Sequence, residues 1–270
     1  MTANEFVETT VSDGIATIRI DRAERHNSLV PALLTELLEA VERVAADASV
    51  RAIVLRTAGP TFSTGGDVAA FYDHRESIVD YSSEVVGTLN EVIVALRKTR
   101  PPVLVAVGGK VTGGSLGFLL GADVVVMDRE ATITPYYPVV GFSPDGGWTA
   151  LLPEIIGRTR TMRILATNET ITSERALEWG LASELVDGDG DGVGDSDSDS
   201  SGDGAVHERT DAIAREIASM KPGSIERTKR LVGLEPVVIE QRLEREREAF
   251  IEQIQTEEAL KGMGAFLDTR

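Results

Sequence analysis

The feature that most constrains the fold is the alternation of short strand-like segments with longer helical segments along the first half of the chain. Phe6–Thr10 and Ile15–Ile20 alternate apolar and polar residues around Ser12-Asp13-Gly14, a sequence typical of a hairpin turn. Strands separated by helices predict an α/β fold whose sheet is covered on its faces. Further strands are predicted at Ala52–Leu55, Val103–Val107 and Val124–Met127, and helices at Pro31–Val44, Val79–Leu96 and Leu116–Leu120.

Beyond Pro144 the apolar spacing becomes helical, and it is interrupted once by an acidic segment. That segment, 187–204, contains seven Asp and no basic residue, so it cannot bury apolar area and is predicted to be a disordered or salt-bound loop. We therefore expect one domain with a core at 1–186, the acidic insert at 187–204 and a helical C-terminal region at 205–270. Helices are predicted at Leu151–Ile156, Met162–Ala166, Ser173–Trp179, Val206–Met220, Ile225–Val232 and Val237–Leu260.

Charge and composition exclude several classes of function. The net charge of −17 disfavours nucleic acid and anionic membranes as partners. No apolar run is long enough to span a bilayer, and the first ten residues lack a secretory signal pattern, so a cytoplasmic location is expected. Because Cys is absent and the three His have no metal-ligand spacing, we expect no disulfide and no metal site. The acidic surface and the scarcity of Lys suggest adaptation to a salty cytosol.

Two motifs point to chemistry that their surroundings do not favour. Gly113–Gly117 fits the G-x-S-x-G pattern of serine hydrolases, but its Ser does not directly follow a strand, and His207 is the one His after it. Asp187–Gly192 resembles the start of a calcium loop, but position twelve is Ser198 where a bidentate Glu is needed. A loose acidic loop is favoured there over a specific calcium site.

A pair of glycine-rich turns is more informative. Phe62–Asp67 and Gly113–Gly117 each follow a strand-like segment and precede an apolar helical one. Glycine at such a turn lets the backbone approach a ligand and leaves N–H groups free at the start of a helix. Side by side, the two turns would direct two N–H donors at one oxygen, which defines an oxyanion hole. From the spacing alone, tight packing explains the glycines equally well.

The two turns belong to a longer set of segments that resemble one known family. The segments are Ile18–Leu29, Phe62–Asp67, Val105–Gly117, Asn168–Leu181, Thr228–Arg230 and the C-terminal helix through Glu257 and Phe266. With them the sequence resembles the enoyl-CoA hydratase/isomerase (crotonase) family, in register from about residue 5 to 268 apart from the acidic insert.

The resemblance implies a crotonase-like spiral of ββα units with a helical C-terminal region, assembled as trimers or pairs of trimers. It also implies an acyl-CoA thioester substrate and no separate cofactor, since coenzyme A is part of the substrate.

The resemblance also implies catalytic roles. The family stabilises a thioester enolate with two main-chain N–H groups, which correspond to Gly66 and Gly114 here. Hydratases of the family carry two glutamates, and the matching positions are Gly117 and Tyr137, so hydration by a glutamate pair is not expected. Asp145 looks like the catalytic aspartate of the isomerase branch.

The surroundings of Asp145 allow two roles. The flanking Phe142 and Trp148 would raise the pKa of its carboxyl group and make proton return feasible. An Asp that follows Pro144 ahead of a helix is also a routine N-cap, and the two roles are compatible.

Substrate-binding roles are expected around the first turn and in an acyl pocket. Tyr136 and Tyr137 suit an aromatic or long acyl group, although core packing explains them equally well. Arg25 and Lys229 are candidates for the coenzyme A phosphates, but chance salt bridges are favoured for both. The predicted substrate-binding residues are Ser63, Gly65, Asp67, Val68, Tyr136 and Tyr137.

The resulting hypothesis is an enoyl-CoA double-bond isomerase with Asp145 as acid and base. The alternatives are a 2-enoyl-CoA hydratase, another thioester-enolate enzyme such as a phenylacetyl-CoA-type isomerase or a hydrolase, and a non-catalytic acyl-CoA binder.

Overall fold

The structure, a computed structural model, describes residues 5–188 and 204–269. The centre of the predicted acidic insert, 189–203, and the calcium-loop fragment within it therefore lie outside the described residues. The described strands are β1 (Val7–Ser12), β2 (Ile15–Ile20), β3 (Ala52–Thr57), β4 (Val103–Val107), β5 (Lys110–Thr112), β6 (Val124–Asp128), β7 (Thr132–Thr134), β8 (Ile171–Thr172) and β9 (Glu184–Val186).

These strands form two sheets. The larger has the order β1-β2-β3-β4-β6-β9, in which β1 and β2 are antiparallel and the remaining neighbours are parallel. The smaller has the order β5-β7-β8. The predicted β1–β2 hairpin is confirmed: Asp13 and Gly14 both have positive φ, as a two-residue turn matched to the strand twist requires.

Helices cover the larger sheet. The described helices are α1 (Pro31–Ala46), α2 (Val68–Asp73), α3 (Ile78–Lys98), α4 (Leu116–Gly121), α5 (Tyr137–Val140), α6 (Leu152–Ile156), α7 (Arg158–Thr167), α8 (Ser173–Glu178), α9 (Gly204–Ser219), α10 (Pro222–Val232), α11 (Pro236–Ile254) and α12 (Glu257–Asp268).

The single helix predicted over Val237–Leu260 is in fact two, α11 and α12. The break comes at Thr256, whose side-chain oxygen accepts a hydrogen bond from the Ala259 N–H at 3.2 Å and so caps α12. Glu257 and Glu258 follow in the first turn, where they complement the positive end of the helix dipole.

Strand β3 shows why the sheet is buried on both faces. Ile53 and Leu55 point into the main core, which α1 and α3 cover, whereas Ala52 and Val54 pack against Ala214 of α9 on the other face. The near-continuous apolar character of β3 follows from this double coverage. Within the described residues, no helix combines the length and the apolar character needed to cross a bilayer.

The topology also brings the two glycine-rich turns together. Strands β3 and β4 are parallel neighbours, so the segments that leave their carboxyl ends emerge at the same edge of the sheet. There the Ser63 N–H donates to the Lys110 carbonyl and the Thr112 N–H donates to the Ser63 carbonyl, both at 3.0 Å. The two turns are thus hydrogen-bonded side by side.

Candidate active site

The backbones of the two turns are in close contact. A Cβ atom on Gly65 would lie 2.6 Å from the Thr112 carbonyl oxygen and 3.2 Å from the Gly113 Cα. Gly65 and Gly113 also have φ values of +71° and +53°, in the left-handed region that side chains disfavour. Close packing and the positive φ together require glycine at position 65. At Gly113 the positive φ is the reason, because a Cβ atom there would come no closer than 3.7 Å to a neighbouring atom.

Gly66 and Gly114, the residues that follow, have a different environment. Both line one cavity, together with Asp145. Within the described part of the chain, neither main-chain N–H donates a hydrogen bond to another residue. Two N–H groups without a partner among the described residues therefore border one cavity and are available to an oxygen of a bound molecule. Their role as an oxyanion hole stays a prediction.

The cavity is mainly apolar. Three of its side chains, Phe71, Phe142 and Phe250, pack against one another with ring centroids 5.4–5.9 Å apart. Among the described residues that line it, Asp145 is the one with a carboxylate. The lining residues are Thr64, Gly66, Val68, Phe71, Thr112, Gly113, Gly114, Pro135, Tyr136, Tyr137, Val140, Phe142, Asp145 and Phe250.

Asp145 lies directly beside Gly114. A Cβ atom on Gly114 would be 2.9 and 3.0 Å from the two carboxylate oxygens, so the carboxylate touches the glycine backbone. The Tyr137 hydroxyl donates a 2.6 Å hydrogen bond to Asp145 Oδ1. Burial raises the pKa of Asp145 to about 6, against the opposing effect of the Tyr137 hydrogen bond. The carboxylate is thus ionised at neutral pH, yet it holds a proton more readily than an exposed Asp.

The N-cap role for Asp145 is not observed. The next helix, α6, begins only at Leu152, and the Asp145 carboxylate bonds to Tyr137 instead of a helical N–H group. The segment 146–151 between them is a turn.

Tyr136 and Tyr137 occupy different places in the cavity. Tyr137 is buried, and this burial, together with the charge of Asp145, keeps the pKa of its hydroxyl well above the ordinary value, so the phenol remains a donor. Tyr136 is 41% exposed and has a φ of +63°. The Asn168 side chain holds this left-handed residue by accepting from the Tyr136 N–H at 2.8 Å. Such backbone strain costs about 1–3 kcal/mol and often marks functional sites.

Among the other predicted substrate-binding residues, Val68 lines the cavity, whereas Ser63, Gly65 and Asp67 do not. The buried Ser63 hydroxyl donates to the Asn27 carbonyl at 2.7 Å and accepts from the Gly65 N–H at 3.2 Å. These contacts fix the shape of the first turn.

Asp67 is part of a buried polar cluster behind the first turn. Its carboxylate accepts hydrogen bonds from Arg22, Arg25 and Ser28, and it caps α2 through the Ala70 N–H. Burial acts to raise its pKa, but the hydrogen bonds from Arg22, Ala70 and Arg25 outweigh burial and hold the pKa below the ordinary value. Asp67 therefore stabilises the turn as an ionised carboxylate.

The two candidates for coenzyme A phosphates are both engaged in salt bridges, as the sequence favoured. Arg25 pairs with Asp67 at 3.2 Å. Lys229 is more deeply buried: its ammonium group pairs with Asp123 at 2.7 Å and donates to Thr99 Oγ1 at 2.7 Å. Its contacts join α10 to the segment that leads into β4.

Sequence reasoning missed Glu246, a buried residue of α11. Its carboxylate accepts hydrogen bonds from the N–H groups of Gly147, Thr149 and Ala150 and from the Thr149 hydroxyl. Burial raises its pKa to about 7 against the effect of these hydrogen bonds. The turn that follows Asp145 is thus held by a residue 99 positions away from Gly147.

A signal for Glu246 exists in the sequence. The buried stripe of α11 contains Ile239, Leu243, Phe250 and Ile254, and Glu246 occupies the central position of that stripe. An acidic residue at an apolar position of an amphipathic helix is rarely buried without partners.

The described residues contain no group of three or more His, Asp or Glu side chains arranged to hold a metal ion.

Comparison with known proteins identifies consistent similarities. The model of the family described as enoyl-CoA hydratase/isomerase matches residues 10–193. The chain is 35% identical over 181 residues to the 4-chlorobenzoyl coenzyme A dehalogenase-2 of Arthrobacter sp; the match covers 64% of this chain and 63% of that protein. It is 32% identical over 184 residues to the 1,2-epoxyphenylacetyl-CoA isomerase of Escherichia coli K12, covering 68% of this chain and 70% of that protein.

Among solved structures, the crystal structure of an enoyl-CoA hydratase from Bacillus halodurans superimposes with a TM-score of 0.85 at 26% identity. The superposition covers 97% of this chain and 100% of that one. The mixed α/β architecture with a helical C-terminal region is therefore shared along nearly the whole chain.

Proposed function

The chain belongs to the enoyl-CoA hydratase/isomerase family, and we propose that it moves the double bond of an unsaturated acyl-CoA thioester from the 3 to the 2 position. The observation that carries this proposal is the position of the Asp145 carboxylate, against Gly114 in a cavity that both unpartnered N–H groups border.

The proton follows a simple route. The ionised Asp145 carboxylate removes a proton from C2 of a 3-enoyl thioester, and the electron pair moves onto the thioester oxygen to form a dienolate. The N–H groups of Gly66 and Gly114 donate to that oxygen, and each such donor contributes about 3–4 kcal/mol of stabilisation in a closed site. Asp145 then returns the same proton at C4, which leaves a conjugated 2-enoyl thioester and a regenerated carboxylate.

The pKa of Asp145 suits both halves of this transfer. A carboxylate with a pKa of about 6 is ionised at neutral pH and is still a stronger base than an exposed Asp. The Tyr137 hydroxyl engages Oδ1 at 2.6 Å. Oδ2 is then the oxygen available to carry the proton between C2 and C4.

Hydration is less well supported. Adding water across a 2-enoyl thioester through the usual glutamate pair requires two carboxylates, and among the described lining residues Asp145 alone carries one. The second position expected for a glutamate holds Tyr137, whose hydroxyl is already committed to Asp145.

The test uses the purified protein with a 3-enoyl-CoA and, separately, with crotonyl-CoA in deuterated buffer. Isomerisation produces a rise in the absorbance of the conjugated thioester. Deuterium appears at C2 or C4 only to the extent that the proton on Asp145 exchanges with solvent before it is returned. We expect the D145N variant to lower the turnover number by about 10²- to 10⁴-fold. Asp73, an exposed residue of α2, provides the matched control D73N, which retains wild-type turnover.

Other outcomes would contradict the proposal. Full turnover by D145N excludes Asp145 as the acid and base. Loss of crotonyl-CoA absorbance without double-bond migration identifies a hydratase. A mass increase on a peptide containing Asp145 identifies the carboxylate as a nucleophile, a reaction class that deserves this check because one relative is named as a dehalogenase.

A further inference from the structure

We infer that Trp148 is a positioning residue for the oxyanion hole: its indole N–H fixes the peptide group that presents the Gly114 N–H to the cavity. This inference rests on the two-amide site of the proposed function. It concerns a side chain three positions after Asp145 on the same turn, and this side chain does not line the cavity.

The geometry starts from one hydrogen bond. Trp148 Nε1 donates to the Gly113 carbonyl oxygen at 2.8 Å. That carbonyl and the Gly114 N–H belong to the same planar peptide group, and the peptide is trans because the described chain contains no cis bond. In a trans peptide the C=O and N–H bonds point in opposite directions, so the indole that fixes the carbonyl also fixes the direction of the N–H.

This peptide group needs such support. It lies between two glycines, Gly113 and Gly114, and the absence of Cβ atoms removes the steric limits that would otherwise restrict rotation of the peptide between them. The Leu116 N–H, one short helical turn along, also donates to the Gly113 carbonyl. The Trp148 bond adds a second donor from a different segment, so rotation of the peptide would break two hydrogen bonds.

Trp148 itself cannot move readily. It is fully buried, with its ring edge-on to Tyr137 at a centroid distance of 6.1 Å. A buried indole N–H without a partner would cost about 1–3 kcal/mol, which favours keeping the bond to Gly113. The adjoining Gly147 and Thr149 N–H groups are held by Glu246.

In the first turn, the peptide group that carries the Gly66 N–H is held by a different kind of hydrogen bond. The Gly65 carbonyl, which shares a peptide group with the Gly66 N–H, accepts from the Leu29 main-chain N–H at 2.8 Å. The Gly66 amide is therefore oriented by the main chain, whereas the Gly114 amide is oriented by the Leu116 main-chain N–H together with the Trp148 side chain. Only the Gly114 amide loses one of its supports through a side-chain substitution that leaves the glycines in place.

The arrangement also links the two halves of the site. Asp145 and Trp148 lie on one turn, and both reach the Gly113–Gly114 backbone, the first by contact and the second by hydrogen bonding. The same turn thereby sets the position of the carboxylate and the direction of the amide that stabilises the enolate.

The experiment compares W148F, which keeps an aromatic ring but loses the N–H, with W179F, which makes the same change at the other Trp of the chain. Trp179 follows α8 and does not line the cavity. The first readout is the carbonyl stretching frequency of a bound saturated acyl-CoA, measured by isotope-edited infrared difference spectroscopy. The second is the separation of kcat from KM with a 3-enoyl-CoA.

We expect the wild-type protein and W179F to lower the carbonyl frequency of the bound thioester equally. In W148F the carbonyl frequency of the bound thioester returns towards that of free acyl-CoA. We expect kcat to fall by about 10- to 100-fold and KM to change by less than about threefold, because the Gly114 N–H is misdirected and not removed. A W148F protein that folds, binds and retains the full carbonyl shift overturns the inference, even where its melting temperature is lower.

Should W148F fail to fold, the benzothienyl analogue of tryptophan at position 148 preserves the bicyclic shape without the N–H, and the same frequency decides. The results distinguish failure of the proposed isomerase activity from failure of the proposed role of Trp148. A wild-type carbonyl shift without turnover of 3-enoyl-CoA refutes the isomerase and leaves the role of Trp148 standing. An unshifted carbonyl in the wild-type protein refutes the two-amide site and the inference with it.

Discussion

Replacing Asp145 with Asn should make the protein more stable at neutral pH while it lowers the turnover number. Burial raises the pKa of Asp145 from 3.8 to about 6, so the folded state disfavours the ionised carboxylate. A shift of about two pKa units corresponds to about 3 kcal/mol of unfolding free energy. Asn removes the charge and retains an oxygen that accepts the Tyr137 hydrogen bond. The gain for D145N at pH 8 is therefore up to about 3 kcal/mol.

The pH dependence of this gain has a definite direction. A carboxyl group whose pKa is raised on folding favours the folded state below the unfolded pKa, near 4, and this contribution is lost as the pH rises through about 6. Wild-type and D145N proteins should have similar stability near pH 4. The difference in unfolding free energy between the two proteins should increase from pH 4 to pH 6 and remain constant above pH 7. The contribution of Glu246 is common to both proteins and cancels in the difference.

The assay is urea unfolding of both proteins from pH 4 to 8 at one fixed ionic strength, with D73N as the control for removal of one exposed charge. D73N should follow the wild-type curve within about 0.5 kcal/mol. If D145N gains nothing at pH 8, or gains as much at pH 4 as at pH 8, then burial does not raise the pKa of Asp145 and the proposed proton transfer loses its basis.

Three further substitutions have distinct expected outcomes. G114A places a methyl group within 3.0 Å of both Asp145 oxygens and should lower kcat by about 10²-fold or more in steady-state assays; unchanged kcat would contradict the site. Y137F removes a hydrogen bond that lowers the pKa of Asp145, so the acid limb of the pH–rate profile should shift upward by about one unit, whereas Y72F leaves it in place. E246Q directs an amide at N–H groups that need acceptors, and should lower the unfolding free energy by about 1–3 kcal/mol at pH 5, where the folded wild-type carboxyl, with its pKa raised to about 7, is uncharged and no buried charge is removed; equal stability at pH 5 would mean that the turn does not depend on those bonds.

Most of the larger sheet could be predicted from the sequence, because β3 and β4 carry nearly continuous apolar runs and β2 alternates apolar and polar residues. Strands β5, β7, β8 and β9 could not, since each has two or three residues and too few positions to show a period. The break between α11 and α12 was missed because the apolar stripe continues across Thr256, although Thr followed by two Glu is a recognisable helix start.

The residues of the candidate site also fall into those that could be predicted from the sequence and those that could not. Gly66, Gly114 and Asp145 could be found because they stand in local motifs, and the structure brings them to one cavity. Glu246 and the contact between Trp148 and Gly113 depend on how distant segments pack, which no local motif records. The same limit explains why residues of the first turn that serve its internal structure were grouped with those that face the cavity.

One physical cause accounts for both halves of the proposed chemistry. An apolar wall that includes Phe71, Phe142 and Phe250 excludes water from the cavity and so raises the pKa of Asp145. The same low polarity strengthens the attraction between an enolate oxygen and the Gly66 and Gly114 N–H groups, because water no longer competes for either partner. A substitution that admits water should therefore weaken the base and the oxyanion hole together. Burial of the Asp145 carboxylate lowers the unfolding free energy at neutral pH, and the same burial raises the pKa that makes Asp145 a stronger base.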